Sequence, residues 1–212
     1  QADCLTTWAG LRPLISETGK SSKEISRKDE VWISQSGLIT IAGGKLTGYR
    51  KMAEDTVDAA SRLIGLAQAD GGDDTPLPGG DFTGGIDNLL LHLTQKYPMN
   101  DAAALRLVRL YGAEAEQVLA LGAESLVTTG NVLSGEVAWA LQKEGAQSLE
   151  DVIYRRTRAA LYQPEEAAAI VPRLADLMGA ELGWAEDKKA REIAQVTALL
   201  NADKTSLLSS VA

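Results

Sequence analysis

The chain has 212 residues, of which 45% are hydrophobic and 24% charged, and carries a formal net charge of −8. This composition fits one or two globular units and excludes a disordered chain, a collagen-like repeat or a disulfide scaffold, because a single cysteine cannot form an intrachain bridge. An acidic chain is a poor partner for nucleic acid, and no apolar run approaches the ~20 residues needed to cross a bilayer. The charge is uneven. Residues 1–62 hold nine Lys/Arg against eight Asp/Glu, net +1, while residues 63–212 hold twelve against twenty-one, net −9. Cations able to hold an anion are therefore concentrated at the front. The start Gln1-Ala2-Asp3-Cys4 lacks an initiator Met, a basic leader and an apolar segment, and reads as part of something longer.

Taken in chain order, Trp8 to Leu14 (WAGLRPL) places Arg12 among apolar neighbours, where a bidentate cation for phosphate or carboxylate is a reasonable role. Arg27, in Glu24 to Glu30 (EISRKDE), reads alone as part of a charged, solvated loop. Val31–Ile33 and Leu38–Ala42 read as strands joined by a turn at Ser36-Gly37. A helix follows, with apolar or small positions at Tyr49, Met52, Ala53, Thr56, Val57, Ala60, Leu63 and Ile64, and Gly65 as its stop. Between that strand and that helix stands Gly43-Gly44-Lys45-Leu46-Thr47. Two glycines followed by a helix start can present free N–H groups to an anion, with Lys45 adding a full charge, but the same pattern also serves as a plain tight turn. It is neither a G-x-G-x-x-G nor a Walker loop, and neither fingerprint occurs in the chain.

Residues 68–85 are rich in glycine and proline and read as a linker. Everything beyond reads as helix, in segments near 86–96, 101–111, 113–121, 134–145, 149–161, 164–179 and 185–200. Asp101 is the expected cap of the second segment and Pro164 a first-turn proline. Ala167, Ile170, Val171, Leu174, Leu177 and Met178 form one apolar stripe that Pro172 is expected to kink or break. Ile193, Val196 and Leu200 form the last stripe. His92, the single histidine, reads as a surface or packing residue, and Cys4 as a structural thiol. Arg155, Arg156 and Arg158 are expected to pair with acidic neighbours such as Glu150 and Asp151 rather than to form a basic patch. No His/Cys cluster suggests a metal.

The three front motifs in order, WAGLRPL at 8–14, EISRKDE at 24–30 and GLITIAGGKLTGYRKMAE at 37–54, resemble the FAD-dependent glycerol-3-phosphate dehydrogenases of bacteria. The stretch from Glu136-Val137 through Glu150-Asp151 to Tyr154–Arg158 is similar to the C-terminal domain of the same enzymes, so the resemblance covers essentially the whole chain. It implies a mainly α fold. An all-α C-terminal domain at 86–212 follows the linker, and residues 1–67 are a short α+β remnant of the FAD- and substrate-binding domain. The implied reaction is oxidation of sn-glycerol 3-phosphate to dihydroxyacetone phosphate, with electrons passing through FAD to quinone. A soluble branch, the glycerophosphate oxidases, uses oxygen. The short spacing from Pro13 to Ile25 resembles the quinone-linked branch, since the oxidase carries a long insertion there. By resemblance, Arg12 and Arg27 bind the substrate phosphate or its hydroxyls, Lys45 lies at the substrate and flavin edge, and Gly43, Gly44, Lys45, Leu46 and Thr47 face FAD.

The family's dinucleotide fingerprint is missing from the 212 residues and no residue aligns with its general base. The resemblance therefore implies a fragment that is inactive alone. It further implies a cytoplasmic protein with at most peripheral contact with the membrane, and allows a homodimer. Two other readings stand beside it. One is a non-catalytic helical cap for protein contacts. The other is a related FAD amine oxidase, which the Arg12/Arg27 pair and the helical domain disfavour.

Overall fold

The computed structural model describes Thr6, Gly10, Ile15 and residues 28–68, 75–128 and 130–209. The chain is mainly α and divides into two compact units, 9–75 and 76–212, the latter together with residues 1–8. The division falls within the sequence linker.

In the smaller unit, β1 (Asp29–Ile33) and β2 (Ile39–Gly43) form an antiparallel hairpin in which Asp29 faces Gly43 and Val31 faces Ile41. The turn is closed by Leu38 O accepting from Ser34 N at 2.9 Å and Ser34 O accepting from Gly37 N at 3.0 Å. After β2 a single 3-10 turn, Leu46–Gly48, leads into α1 (Tyr49–Ile64), which ends at Gly65 as expected. The apolar face expected on α1 is only partly used. Ala59 is buried, whereas Val57, Leu63 and Ile64 are 59%, 50% and 68% exposed. Two strands offer a helix too little surface to cover a full stripe.

The larger unit is a helical assembly: α2 (Gly85–Lys96), α3 (Asp101–Tyr111), α4 (Ala115–Leu121), α5 (Ser134–Gln142), α6 (Ala159–Tyr162), α7 (Pro164–Leu182) and α8 (Glu186–Ser209). Two apolar clusters hold it. Ile170, Leu174 and Met178 of α7 meet Val137 and Ala140 of α5 and Val196 and Leu200 of α8. Leu107, Val108 and Tyr111 of α3 meet Val118 and Leu119 of α4, with Trp139 of α5 alongside. Each fully buried Leu, Ile or Met contributes about 1.5–3 kcal/mol, so these stripes rather than helix propensity hold the unit together.

Four local expectations need correction. Asn100, not Asp101, caps α3: its Oδ1 accepts from Ala103 N at 2.8 Å, and Asp101 follows in the first turn, where its charge suits the helix dipole. Pro172 does not break α7, which runs unbroken from Pro164 to Leu182. Both Pro172 and Ala168, whose carbonyl loses its donor, lie on the exposed face, so water can take the freed acceptor. The segment 149–161 is not one α-helix. Asp151–Arg156 is π-helical, with Thr157 N and Oγ1 both donating to Val152 O at 2.9 and 2.8 Å, and the chain then turns at Arg158 in the left-handed conformation, φ 56°. Its start is held by a reciprocal cap. Ser148 Oγ accepts from Asp151 N at 3.1 Å while the Asp151 carboxylate accepts from Gln147 N and Ser148 N at 3.0 and 3.1 Å. Finally, the arginines of 155–158 divide. Arg155 pairs with Glu150 and Asp151, and Arg156 with the Glu144 carboxylate at 3.7 Å as well as its carbonyl, as expected; only Arg158 departs, with no partner for its guanidinium among the described residues.

Candidate functional site

The glycine step is shaped by crowding. Gly43 and Gly44 have φ of 80° and 73°, a region that costs any residue with a Cβ about 1–2 kcal/mol. There is also no room for a side chain. A Cβ on Gly43 would fall onto the carbonyl oxygen of Lys28, and one on Gly44 would sit 2.7 Å from Met52 Sδ and 3.1 Å from Asp29 Cβ. The backbone here is therefore bare because the neighbouring strand and helix fill the space behind it.

Directly in front of it, Gly43, Gly44, Lys45, Leu46 and Thr47 line one cleft of about 580 Å³ together with Tyr49 and Met52. All five residues expected to face a flavin share this surface. Lys45 is extended (φ −128°, ψ 146°) and precedes the 3-10 turn as its cap residue. Its ammonium is exposed and has no ion-pair partner among the described residues. Lys51, one turn along α1, is instead held by Glu54 and Asp55 at 3.0 and 3.1 Å, and hydrogen bonds to Glu54 and then to Asp55 push its pKa up. The backbone N–H groups of Leu46 and Thr47 have no acceptor among the described residues. Leu46 is 88% exposed, an apolar side chain at the mouth of a cleft with nothing packed on it. The arrangement can accept a flat, partly apolar group with an electron-rich edge: Leu46, Tyr49 and Met52 offer contact area, and Lys45 with the free N–H groups offers positive potential.

Arg12 and Arg27 lie outside the described residues, as does Cys4. His92 is a surface residue of α2, its Nε2 3.2 Å from the Glu116 carboxylate that also meets Lys96. Among the described residues no group of three or more His, Cys, Asp or Glu could hold a metal. No helix of the described residues is long and apolar enough to cross a membrane.

Sequence reasoning missed Tyr49 and Met52 as wall residues, since both read as members of a helix stripe. It also missed a buried polar network. Glu136 is fully buried. Its Oε2 accepts from Arg106 Nη1 at 2.8 Å and Leu133 N at 2.9 Å, and its Oε1 from Arg106 Nη2 at 2.9 Å and Tyr111 Oη at 3.2 Å. Burial, and then the Glu136 charge, drive the Tyr111 hydroxyl far above its ordinary pKa. The only sequence signal was Glu136 at the third position of a helix start, a place favoured for capping carboxylates.

Residues 72–189 match the C-terminal domain of alpha-glycerophosphate oxidase. The mitochondrial glycerol-3-phosphate dehydrogenase of Mus musculus is 36% identical over 221 residues, covering 94% of this chain and 29% of that protein. The aerobic glycerol-3-phosphate dehydrogenase of Bacillus subtilis (strain 168) is 37% identical over 215 residues, covering 94% of this chain and 39% of that protein. The X-ray structure of the glycerol-3-phosphate dehydrogenase from Bacillus halodurans, complexed with FAD, superposes with a TM-score of 0.70 at 29% identity. That match covers 81% of this chain and 36% of that one. The chain thus spans 29% and 39% of the length of those two curated relatives. With its own residues carrying both the glycine step and the matched helical region, the chain belongs to the family of glycerol-3-phosphate dehydrogenases and glycerophosphate oxidases, and residues 72–189 are the C-terminal domain of that family.

Proposed function

We propose that the protein acts in the FAD-dependent oxidation of sn-glycerol 3-phosphate to dihydroxyacetone phosphate, and that residues 43–47 form one edge of its flavin site. The observation that carries this reading is the single cleft shared by Gly43, Gly44, Lys45, Leu46 and Thr47. Packing behind Gly43 and Gly44 requires glycine at both positions, and the two also line the cleft, where their side-chain-free backbone leaves room for a cofactor to lie close. Bound FAD would supply the hydride acceptor. The N–H groups of Leu46 and Thr47 and the ammonium of Lys45 supply positive potential where negative charge accumulates on flavin reduction, a preorganised form of stabilisation. Arg12 and Arg27 hold the substrate phosphate or hydroxyls with charge-assisted hydrogen bonds. Quinone is the electron acceptor, and any membrane contact is peripheral, from the cytoplasmic side. The chain alone, without a dinucleotide fingerprint, neither retains FAD nor turns over substrate.

A longer form of the protein spanning the full length of its relatives provides the test. Arg12→Ala should raise KM for glycerol 3-phosphate at least tenfold, the loss expected for one charge-assisted contact, and an unchanged KM would remove Arg12 from the phosphate site. The similarity of residues 72–189 to the C-terminal domain of alpha-glycerophosphate oxidase favours oxygen as the second choice of acceptor. Glycerol-3-phosphate-dependent reduction of a quinone analogue, measured beside oxygen consumption, separates the two.

A further inference from the structure

A second cleft, of about 570 Å³, lies wholly in the helical unit, between α3 and the turn from the π-helical segment into α6. Its size suits a small organic ligand. Although residues 63–212 carry a net charge of −9, among the described residues no Asp or Glu lines this cleft, and three arginines do: Arg106, Arg109 and Arg158. Arg106 is committed to Glu136. Arg109 and Arg158 are exposed, and among the described residues neither guanidinium has an acceptor. Elsewhere in the unit Arg155, Arg156 and Arg191 each meet a carboxylate and Arg173 stands alone without a partner among the described residues, so the cleft is the place where two unpaired arginines come together.

Arg158 also stands where glycine would be favoured. It is the single non-glycine with positive φ among the described residues, in a turn that directly follows a π-helical segment. Such segments often mark functional positions. A cationic side chain is kept there against the preference of the backbone. Leu105 and Leu110, on the same helix as Arg109, add apolar lining, and Tyr162, 62% exposed, provides an aromatic face.

We propose that this cleft binds a phosphate monoester with an apolar or aromatic body. Arg109 and Arg158 take the phosphate, and Leu105, Leu110 and Tyr162 take the body. Two planar guanidiniums offer more directed N–H donors than one carboxylate can use, which is why a phosphate dianion is the better fit. The phosphate can belong to a free ester or to a lipid headgroup.

The test is titration of the 212-residue chain with phenyl phosphate by isothermal calorimetry. One saturable site is expected, weakening as salt rises. Affinity should fall about tenfold or more in Arg109→Ala and in Arg158→Gly, the latter relieving the left-handed backbone and so retaining the fold. Arg173→Ala, at an exposed arginine outside the cleft, should bind like the parent. Retention on vesicles containing phosphatidic acid, whose headgroup is itself a phosphate monoester, that depends on Arg109 and Arg158 would place the phosphate on a lipid. Phenyl phosphate binding without vesicle retention would place it on a soluble ester. Failure to bind both probes overturns the proposal, as does equal binding by Arg158→Gly and the parent, or an equal loss in Arg173→Ala.

Discussion

Replacing Glu136 by Gln changes one oxygen into an NH2 group and removes one buried charge. Every contact of Glu136 is with a donor: Arg106 Nη1 and Leu133 N on Oε2, Arg106 Nη2 and Tyr111 Oη on Oε1. Whichever way the amide faces, its NH2 meets an Arg106 N–H, and only the Tyr111 hydroxyl can rotate to accept. The guanidinium, with 16% of its side-chain surface exposed, is left largely buried and unneutralised. Removing one partner of a buried pair costs about 3–5 kcal/mol. Arg106 keeps the carbonyls of Asn131 and Thr157, at 3.1 and 3.4 Å, which argues for the lower end, about 3 kcal/mol. For a chain of this length that corresponds to a fall in Tm of roughly 6–12 °C. Urea unfolding followed by far-UV circular dichroism measures it, and an unchanged m value would show that compactness is preserved. The double variant Arg106→Met with Glu136→Gln should recover more than half of the loss, because no uncompensated charge then remains. A single variant within about 1 kcal/mol of the parent, or a double variant with the two costs simply added, would refute the view that charge compensation holds this region together.

Three further outcomes are expected. Burial works to raise the Asp151 carboxyl, but hydrogen bonds from Gln147 N and from Ser148, and the charge of Arg155, outweigh it and hold the pKa below the usual range. A lowered folded-state pKa contributes stability above the unfolded value near 4 and loses it as pH falls through the folded value. The stability gap between the parent and Asp151→Asn should therefore shrink below about pH 4, and a gap constant from pH 6 to 2 would contradict this. Pro172→Ala restores a helix hydrogen bond at an exposed position of α7 and should stabilise the chain by about 1–3 kcal/mol in the same urea assay. Gly44→Ala combines an unfavourable φ with a Cβ 2.7 Å from Met52 Sδ, so in the longer form of the protein flavin absorbance near 450 nm per mole should fall on purification; full retention would show that the close backbone is not needed.

Much of this protein was legible in its residues because the relevant signals are local. The short apolar runs at Val31–Ile33 and Leu38–Ala42 around Ser36-Gly37 mark a hairpin, and the stripe Ile170, Leu174, Met178 marks the buried face of α7. Gly43-Gly44-Lys45 marks a point where a strand must turn into a helix and could hold an anion. The elements themselves follow from spacing, since side-chain period and backbone preference are properties of neighbouring residues. Tertiary structure decided the rest. Whether Gly43 and Gly44 are merely a turn or a bare surface depends on Lys28 and Met52 filling the space behind them. Whether Arg106, Arg109, Arg155 and Arg158 are solvated, paired or gathered at a cleft depends on where Glu136, Glu150 and the left-handed turn bring their partners. A charged side chain reaches several residues along the chain and any distance across it. Its role is therefore set by packing, which the order of residues specifies only through the whole fold.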